Sequence, residues 1–169
     1  ADLEKIAAIE SLETLNLTDN SIASLAYLVD MPKLRELIIP ENSLSDLTVI
    51  SGMTTLEKLD LRENAIENID AVSSLRRLKY LDLEDNIVSD LSPLEGSQLT
   101  YLNVTRCPVG DITSVGSILT LETFKADYCE IFDISALSTC TKLTDLSMKN
   151  NQITDISSLL KLESLQTLD

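Results

Sequence analysis

A leucine pattern, L-x-x-L-x-L, recurs along the whole sequence at a nearly fixed interval. The opening residues of successive units are 22, 22, 22, 21, 22, 22 and 22 residues apart, and they are Leu12, Leu34, Leu56, Leu78, Leu99, Leu121, Leu143 and Leu165. A unit this short cannot bury an apolar face alone, so neighbouring units must stack. The interval predicts a solenoid: a single domain over 1–169, with partial repeats at 1–11 and from 165.

Each place in the unit, numbered from the opening leucine, has a structural interpretation. Apolar residues at the first, fourth and sixth places predict a short strand with one buried side, and neighbouring strands stack in parallel. A buried amide side chain at the ninth place is expected to satisfy backbone groups where the chain leaves the strand. The ninth-place residues are Asn20, Asn42, Asn64, Asn86, Cys107, Cys129 and Asn151. An Asp, Asn or Ser at the thirteenth place predicts the N-cap of a short helical turn.

The unit at 143–164, LTDLSMKNNQITDISSLLKLES, resembles the leucine-rich repeat family and its 22-residue class. That class includes bacterial internalins and the regulatory subunit of protein phosphatase 1, and the resemblance extends over essentially the whole chain. It implies an α/β repeat solenoid, a right-handed horseshoe with a parallel concave β-sheet and short helical turns or loops on its convex side. Residues 1–11 then correspond to the back half of an earlier unit, with Asp2 and Leu3 at the Asp-Ile places.

The charge balance restricts the function. The chain has 28 Asp and Glu against 13 Lys and Arg, no His, and a net charge of −15. Nucleic-acid binding is excluded because it needs a basic surface. Without His there is no Ser/His/Asp or Cys/His nucleophile pair, and we expect no enzyme activity, catalytic residue, cofactor or metal site. We also expect no membrane insertion, since no apolar run approaches the roughly 18 residues of a spanning helix.

The three cysteines are predicted to be free thiols. Cys107 and Cys129 take the ninth place of adjacent units, where parallel side chains suit the dihedral angle of a disulfide poorly. Cys140 falls at an apolar place and is expected in the core.

Core packing does not constrain the outward places of the strands, so their residues can serve a binding function. Four acidic residues, Asp19, Glu41, Glu63 and Asp85, share the eighth place of units one to four. Asp60 and Asp82 are expected to add a second acidic pair on the same exposed face. Like charges at this spacing repel, so the column is either a tolerated cost of a solvated rim or a surface kept for a basic partner or a cation.

From the fifth unit the same face changes character, because basic residues enter it beside a group of tyrosines. Tyr80 and Tyr101 are neighbours at the third place, and Tyr128 lies at an eighth place. Amphipathic aromatic clusters of this kind are typical of protein interfaces, so we expect truncating the tyrosine pair to weaken binding with little effect on stability. The predicted partner-binding residues are Tyr80, Tyr101, Asp82, Asn103, Arg106, Lys125, Tyr128, Glu41 and Glu63.

The functional hypothesis is a non-enzymatic module that binds a protein or peptide partner, with a basic region of that partner facing the acidic column. The motifs D-I-S-x-L and N-N-Q-I-T-D-I are most similar to the internalin branch, which favours a secreted or surface-exposed bacterial protein. The alternative is a cytoplasmic adaptor or regulatory subunit of the phosphatase-regulator type.

Overall fold

The computed structural model of the chain describes residues 3–29 and 31–169. It contains a parallel sheet of eight strands in chain order. The strands are β1 (Thr14–Asn16), β2 (Glu36–Ile38), β3 (Lys58–Asp60), β4 (Tyr80–Asp82), β5 (Tyr101–Asn103), β6 (Thr123–Lys125), β7 (Asp145–Ser147) and β8 (Thr167–Leu168). The predicted fold class is confirmed.

Every strand pairs with the next at identical places of the unit. Leu37 lies opposite Leu15 and Leu59, and the same fourth-place match continues to the end of the sheet. Only the third to fifth places form the ladder, so the strands are shorter than the six-residue motif. The fourth place points into the core, because side chains alternate along a strand, and the third and fifth places point outward.

Short 3-10 turns line the opposite side of the solenoid. They span Thr48–Gly52, Asp70–Ser74, Ser92–Leu94, Thr113–Ser117, Ser135–Thr139 and Ser157–Lys161. The three-residue turn belongs to the unit that is one residue short, and it is followed by Gly96 at φ 63°. A left-handed conformation costs least for glycine, which lets the chain return to the sheet with one residue fewer.

The thirteenth-place side chains do bind the start of these turns, but the turns begin one residue later than predicted. The N-cap of the first turn is Leu47, at the fourteenth place, and its side chain makes no capping bond. Instead the Thr48 amide donates to Asp46 Oδ1 at 2.8 Å. Equivalent bonds are made by Ser24, Asn68, Asp90, Asp111, Asp133 and Asp155.

The N-terminal segment begins with α1 (Leu3–Ala7), in which Leu3 is buried. The Ile9 and Leu12 amides donate to the carbonyls three residues earlier, as the Leu75 and Leu78 amides do within a full unit. Asp2, the other half of the predicted Asp-Ile match, lies outside the described residues.

Aliphatic side chains fill the interior, as the low aromatic content requires. The leucines of the first and fourth places are almost completely buried in units two to seven, and Phe124 takes one of these places. Burying one such side chain is worth about 1.5–3 kcal/mol, so stability accumulates with each stacked unit. The C-terminal end of the array is more open: Leu168, at the fourth place of the partial unit, is 54% exposed, and Ile156, at the fourteenth place of unit seven, is 63% exposed.

The ninth-place asparagines form the predicted hydrogen-bond ladder. Asn64 Nδ2 donates to three carbonyls, those of Ile39, Leu61 and Arg62, each at 3.0 Å. Its Oδ1 accepts the Leu44 amide at 2.9 Å, so one side chain joins two units. The bonding prediction is confirmed, but the burial prediction is wrong for most rungs: Asn86 is buried, whereas Asn64 is half-buried.

Cys107 and Cys129 replace asparagine in this ladder with fewer bonds. The Cys107 thiol donates to the Leu83 carbonyl at 3.1 Å, and the Cys129 thiol donates to the Val104 carbonyl at 3.0 Å. Burial raises the pKa of Cys107 to about 11 and that of Cys129 to about 12, so both stay protonated. All three cysteines are buried and free, as predicted, and Cys140 lies in the core.

The eighth place has a left-handed backbone in every full unit, which the sequence analysis did not predict. Its φ values lie between 52° and 60°, and none of its seven residues is glycine. Non-glycine residues adopt this region at a cost, so the ladder bonds next to it must hold the backbone there. The conformation turns the eighth-place side chains outward at the carboxyl ends of the strands.

Candidate protein-binding site

Tyr80 and Tyr101 stack face to face on the outward side of the sheet. Both lie at the third place, on β4 and β5, and the strand pairing puts them directly opposite each other. Their ring centroids are 4.2 Å apart and their planes differ by 6°. Both side chains are half-buried, so the predicted pair exists but is less exposed than expected.

A lysine covers each outer face of this pair. Lys58 Nζ, from β3, lies 5.0 Å from the Tyr80 ring centroid, and Lys125 Nζ, from β6, lies 5.8 Å from that of Tyr101. These distances are within the range of cation–π attraction. We call the four residues Lys58, Tyr80, Tyr101 and Lys125 the lysine–tyrosine column.

Asp82 and Asp60 are buried beneath the column, which corrects the expectation of an exposed acidic pair. Their exposed fractions are 2% and 4%. Both tyrosine hydroxyls donate to Asp82 Oδ2, at 3.1 Å from Tyr80 and 3.4 Å from Tyr101. Asp82 is therefore an acceptor that fixes the tyrosines, and a partner cannot reach it directly.

Arg62 offsets part of this buried negative charge. Its Nε and Nη2 donate to the two Asp60 oxygens at 2.9 and 2.8 Å, and its Nε lies 3.7 Å from Asp82 Oδ2. A bidentate guanidinium pair is well suited to a desolvated carboxylate. The bond to Asp60 raises the pKa of Arg62, so the arginine stays charged.

Burial changes the titration of the acidic groups in the network. It raises the pKa of Asp82 above the ordinary aspartate value, and the nearby Asp60 charge adds to the rise, while the Glu84 amide and Arg62 oppose it. Burial also raises the pKa of Tyr80 to about 12 and that of Tyr101 further, with the Asp82 charge as the next cause for both. The tyrosines therefore remain hydroxyl donors at neutral pH.

Asn103 is also less available than predicted, since it is 3% exposed. Its Nδ2 donates to Glu84 Oε2 at 3.1 Å, and its Oδ1 accepts the Thr105 amide at 3.0 Å. Its neighbours on the sheet already use both polar ends of the amide. Asn103 supports the surface from below rather than contacting a partner.

Arg106 and Tyr128 form a separate group at the eighth place. The Arg106 guanidinium carbon lies 5.7 Å from the Tyr128 ring centroid, and its Nη1 pairs with Asp85 at 3.0 Å and Glu84 at 3.4 Å. Tyr128 is 53% exposed. Both residues lie on the rim, at the other end of the outward face from the column.

The acidic rim consists of Asp19, Glu41, Glu63 and Asp85. Asp85 pairs with Arg106, whereas in the described part of the chain no cation lies within ion-pair distance of the carboxylates of Glu41 and Glu63. Both glutamates are exposed, as predicted. Residues 3–29 and 31–169 contain no group of three or more Asp, Glu, Cys or His that could hold a metal ion.

The structure therefore divides the predicted site residues between two places. Tyr80, Tyr101, Asp82 and Lys125 come together in and under the column, while Arg106, Tyr128, Glu41 and Glu63 lie on the rim. Lys58 and Arg62 also belong to this site, although they are not among the residues predicted from the sequence. The available signal was position, because Lys58 is the third-place residue next to Tyr80, and Arg62 lies two residues after Asp60 on the same outward side.

Comparisons with known proteins agree with this geometry. The family described as leucine-rich repeats (2 copies) matches residues 54–96, and the family described as leucine-rich repeat matches residues 139–156. The chain contains leucine-rich repeats. Members of this family are typically non-enzymatic binding modules. A search of curated protein sequences found no match.

Similar solved structures include bacterial repeat proteins. Internalin C2 of Listeria monocytogenes is 26% identical with a TM-score of 0.82, over 96% of this chain and 83% of that protein. A leucine-rich repeat protein of Leptospira interrogans is 21% identical with a TM-score of 0.85, over 98% of this chain and 44% of that protein. At that identity the second likeness shows the fold alone.

A eukaryotic receptor has the same fold with a bound ligand. The ectodomain of the plant receptor kinase GASSHO1/SCHENGEN3 of Arabidopsis thaliana, in complex with Casparian strip integrity factor 2, is 21% identical. Its TM-score is 0.72, over 98% of this chain and 22% of that protein. This likeness also shows the fold alone. In the described residues of our chain, no helix is long and apolar enough to cross a membrane.

Proposed function

We propose that this leucine-rich repeat protein binds a protein or peptide on its concave face and has no catalytic role of its own. The lysine–tyrosine column is the observation that carries the proposal. Tyr80 and Tyr101 are held by the buried Asp82 and covered by two lysines before any partner arrives. A fixed aromatic surface loses little side-chain entropy on binding, which favours a recognition site.

Charge supports a partner with a basic region. Glu41 and Glu63 are exposed and unpaired within the described chain, and the net charge is −15. Complementary charges raise the rate of encounter between proteins. The same balance opposes nucleic acid, whose phosphates would be repelled.

The setting we propose is a secreted or surface-exposed bacterial protein. The similarity to internalin C2, which extends over 96% of this chain, supports it. Fractionation of the source cells with an antibody against the chain tests the setting. Recovery from the medium or the cell surface is expected, and recovery only from the cytoplasm would favour an intracellular adaptor.

A double truncation tests the concave site. With a partner recovered by affinity capture, Tyr80→Ala/Tyr101→Ala should weaken binding by on the order of 2 kcal/mol, because both anchors are removed. Phe132→Ala is the matched control, since Phe132 is 67% exposed and lies outside the strands. Calorimetry with both variants measures the difference, and equal affinity of the parent and the double variant would mean that the concave site is wrong.

The structure also changes what this variant does to stability. The sequence pattern predicts almost no change in the unfolding midpoint, but in the structure the truncation takes two donors away from a buried carboxylate. Leaving such a group short of partners costs about 1–3 kcal/mol. Binding must therefore be measured where circular dichroism shows both variants to be fully folded.

A further inference from the structure

Large apolar side chains are exposed on one flank of the solenoid, in units four to six. Between residues 34 and 142, all of which the structure describes, four large apolar side chains are more than half exposed: Ile87, Leu119, Tyr128 and Phe132. All of these except Leu119 lie between the eighth and twelfth places, where the chain runs from the sheet to the convex turns. Exposed apolar groups that lie together mark an interaction surface, whereas single ones do not.

Contacts between neighbouring units bring these stretches of chain side by side. The Gly110 amide donates to the Cys129 carbonyl at 2.8 Å, which joins units five and six along the flank. Arg106 links all three units, since it pairs with Asp85 of unit four at 3.0 Å and lies 5.7 Å from the ring centroid of Tyr128 in unit six. Neighbouring strands are about 5 Å apart. The exposed side chains of the three units therefore belong to one surface.

Unit five departs from the repeat in the middle of this surface. In units two, three, four and seven the tenth-place amide donates to the eleventh-place carbonyl of the preceding unit, as Ile87 does to Ile66 at 3.0 Å. Pro108, the exposed tenth-place residue of unit five, has no N–H for this bond. Gly110, at φ 59°, has no side chain, and a Cβ there would meet no atom within 4 Å. The middle of the surface is therefore open. We call Ile87, Pro108, Tyr128 and Phe132 the flank patch.

Four exposed carboxylates border the flank patch: Glu130 within it and, at the thirteenth place on its convex side, Asp90, Asp111 and Asp133. We call these four residues the acidic border. In the part of the chain that the structure describes, none of them has a Lys or Arg within ion-pair distance. Hydrogen bonds from Thr113 lower the pKa of Asp111, so this carboxylate is charged at neutral pH. An apolar centre with an acidic border complements an apolar group flanked by cations.

A second copy of the chain is a poor occupant of this surface. Two copies that met at the flank patch would bring their acidic borders together, and each chain has a net charge of −15. A cationic partner is favoured instead by the border and by the total charge, which raises its rate of encounter.

We propose that the flank patch is a second interaction surface, which binds a protein segment that carries an apolar side chain between Lys or Arg residues. The apolar side chain contacts the flank patch, and the cations contact the acidic border. This inference goes beyond the proposed concave binding and does not depend on it. The lysine–tyrosine column lies on the strands, so the two surfaces can be tested separately, and Phe132→Ala remains a control for a partner of the concave face.

Three tripeptides with blocked ends test the chemistry of the partner: Arg-Leu-Arg, Arg-Ser-Arg and Glu-Leu-Glu. Each is titrated to millimolar concentration into the full isotope-labelled chain at low salt, and backbone amide resonances are followed. We expect Arg-Leu-Arg to shift the amides of 87–90, 109–111 and 128–133 and to bind about fivefold more tightly than Arg-Ser-Arg, because only the leucine peptide buries apolar surface. Glu-Leu-Glu should leave these amides unshifted, since the acidic border repels it.

Two double variants assign the binding to the patch and its border. Ile87→Ser/Phe132→Ser should abolish the fivefold advantage of the leucine peptide and leave Arg-Ser-Arg binding unchanged. Glu130→Gln/Asp133→Asn should weaken both arginine peptides several-fold. Leu119→Ser is the matched control, because Leu119 is 59% exposed and lies outside the flank patch. All of these side chains are exposed, so the variants should fold like the parent.

Each other outcome overturns the inference in a recognisable way. Equal affinity of the leucine and serine peptides would show that the patch is not an apolar anchor. Equal flank binding by Glu-Leu-Glu would show that the border does not select cations. Flank shifts that depend on the concentration of the chain alone, with a dimer in sedimentation, would make a second copy the occupant. Shifts confined to the concave face would remove the flank site and leave the proposed concave binding standing.

Discussion

Units two to four fill the ninth-place ladder with asparagine, whereas units five and six fill it with cysteine. Asn64 makes four hydrogen bonds there, while the Cys107 thiol donates one, yet the strands on both sides keep the same register. The outward face changes at nearly the same point, from unpaired carboxylates to paired aromatic and basic groups. The comparison teaches that the fourth-place core sets the register, and that the turn and the face can vary around it.

The largest expected effect tests the ladder directly. Asn64→Ala should lower the free energy of unfolding by about 1–3 kcal/mol, because three carbonyls and one amide lose their partner. Cys107→Ala should cost less, about 1 kcal/mol, since it removes one weak donor and a small buried group. Denaturant titration measures both.

Asn20→Ala is the control for this pair, because Asn20 is exposed and, within residues 3–29 and 31–169, its Nδ2 donates only to the Thr18 carbonyl. Its change should stay within about 0.5 kcal/mol. If Asn64→Ala is as mild as Asn20→Ala, the ladder bonds do not hold the turn, and if Asn64→Ala and Cys107→Ala cost the same, the two halves do not differ in the way their turns are held.

The next effect concerns the thiols of the second half. Native protein should react very slowly with a thiol reagent, because burial raises the pKa of Cys107 and Cys129 and thiolate is the reactive form. Denaturation without reductant should then release three thiols. A count of one would reveal a disulfide and an oxidising compartment.

A smaller effect tests the first half. Glu41→Lys/Glu63→Lys should slow association with a basic partner several-fold and flatten its salt dependence, with little change in dissociation. Glu67→Lys/Glu163→Lys makes the same change in net charge at exposed positions outside the rim. Stopped-flow measurements of the association rate at two salt concentrations distinguish the two double variants. If both slow association equally, only the net charge matters.

The smallest expected effect is the pH dependence of stability. Asp82 and Asp46 should contribute to it in opposite directions. The folded chain raises the pKa of Asp82, so the stability it contributes is present below the unfolded pKa, about 3.9, and is lost as the pH rises through the folded value. Hydrogen bonds from Thr48 lower the pKa of Asp46, so its contribution is present above the unfolded pKa and is lost as the pH falls through the folded value.

Unfolding titrations of the parent, Asp82→Asn and Asp46→Asn between about pH 3 and pH 7 measure these contributions. The free energy of unfolding of the parent, relative to that of Asp82→Asn, should fall as the pH rises. The free energy of unfolding of the parent, relative to that of Asp46→Asn, should rise as the pH rises. Parallel curves for the two variants would contradict the contrast.

Much of the fold was predictable, because a fixed interval forces equivalent residues to stack. The register of the strands and the bonding of the ladder follow from that geometry. The burial of Asp60 and Asp82 was not predictable in the same way. Whether an outward carboxylate is covered depends on long side chains from neighbouring places, such as Arg62 and Tyr80, and the repeat pattern leaves their directions open.

The site residues were predictable by type but not by role. Tyr80 and Tyr101 were identified as a pair from their shared third place, and the structure stacks them. Their fixation by Asp82 and the closing of their faces by two lysines depend on the exact side chains of four adjacent strands. The left-handed eighth place was missed for a related reason: no glycine occurs there to signal it.

The eighth place of the repeat accepts many residue types without a change in backbone conformation. Since neighbouring backbone bonds impose its conformation, residues as different as Asp, Glu, Arg, Tyr and Asn occupy it with φ values within a few degrees of one another. Each residue carries a similar small backbone strain, whichever side chain is present. Exchanges there can change what the rim attracts while each unit still stacks on its neighbours, so specificity can drift without unfolding the scaffold.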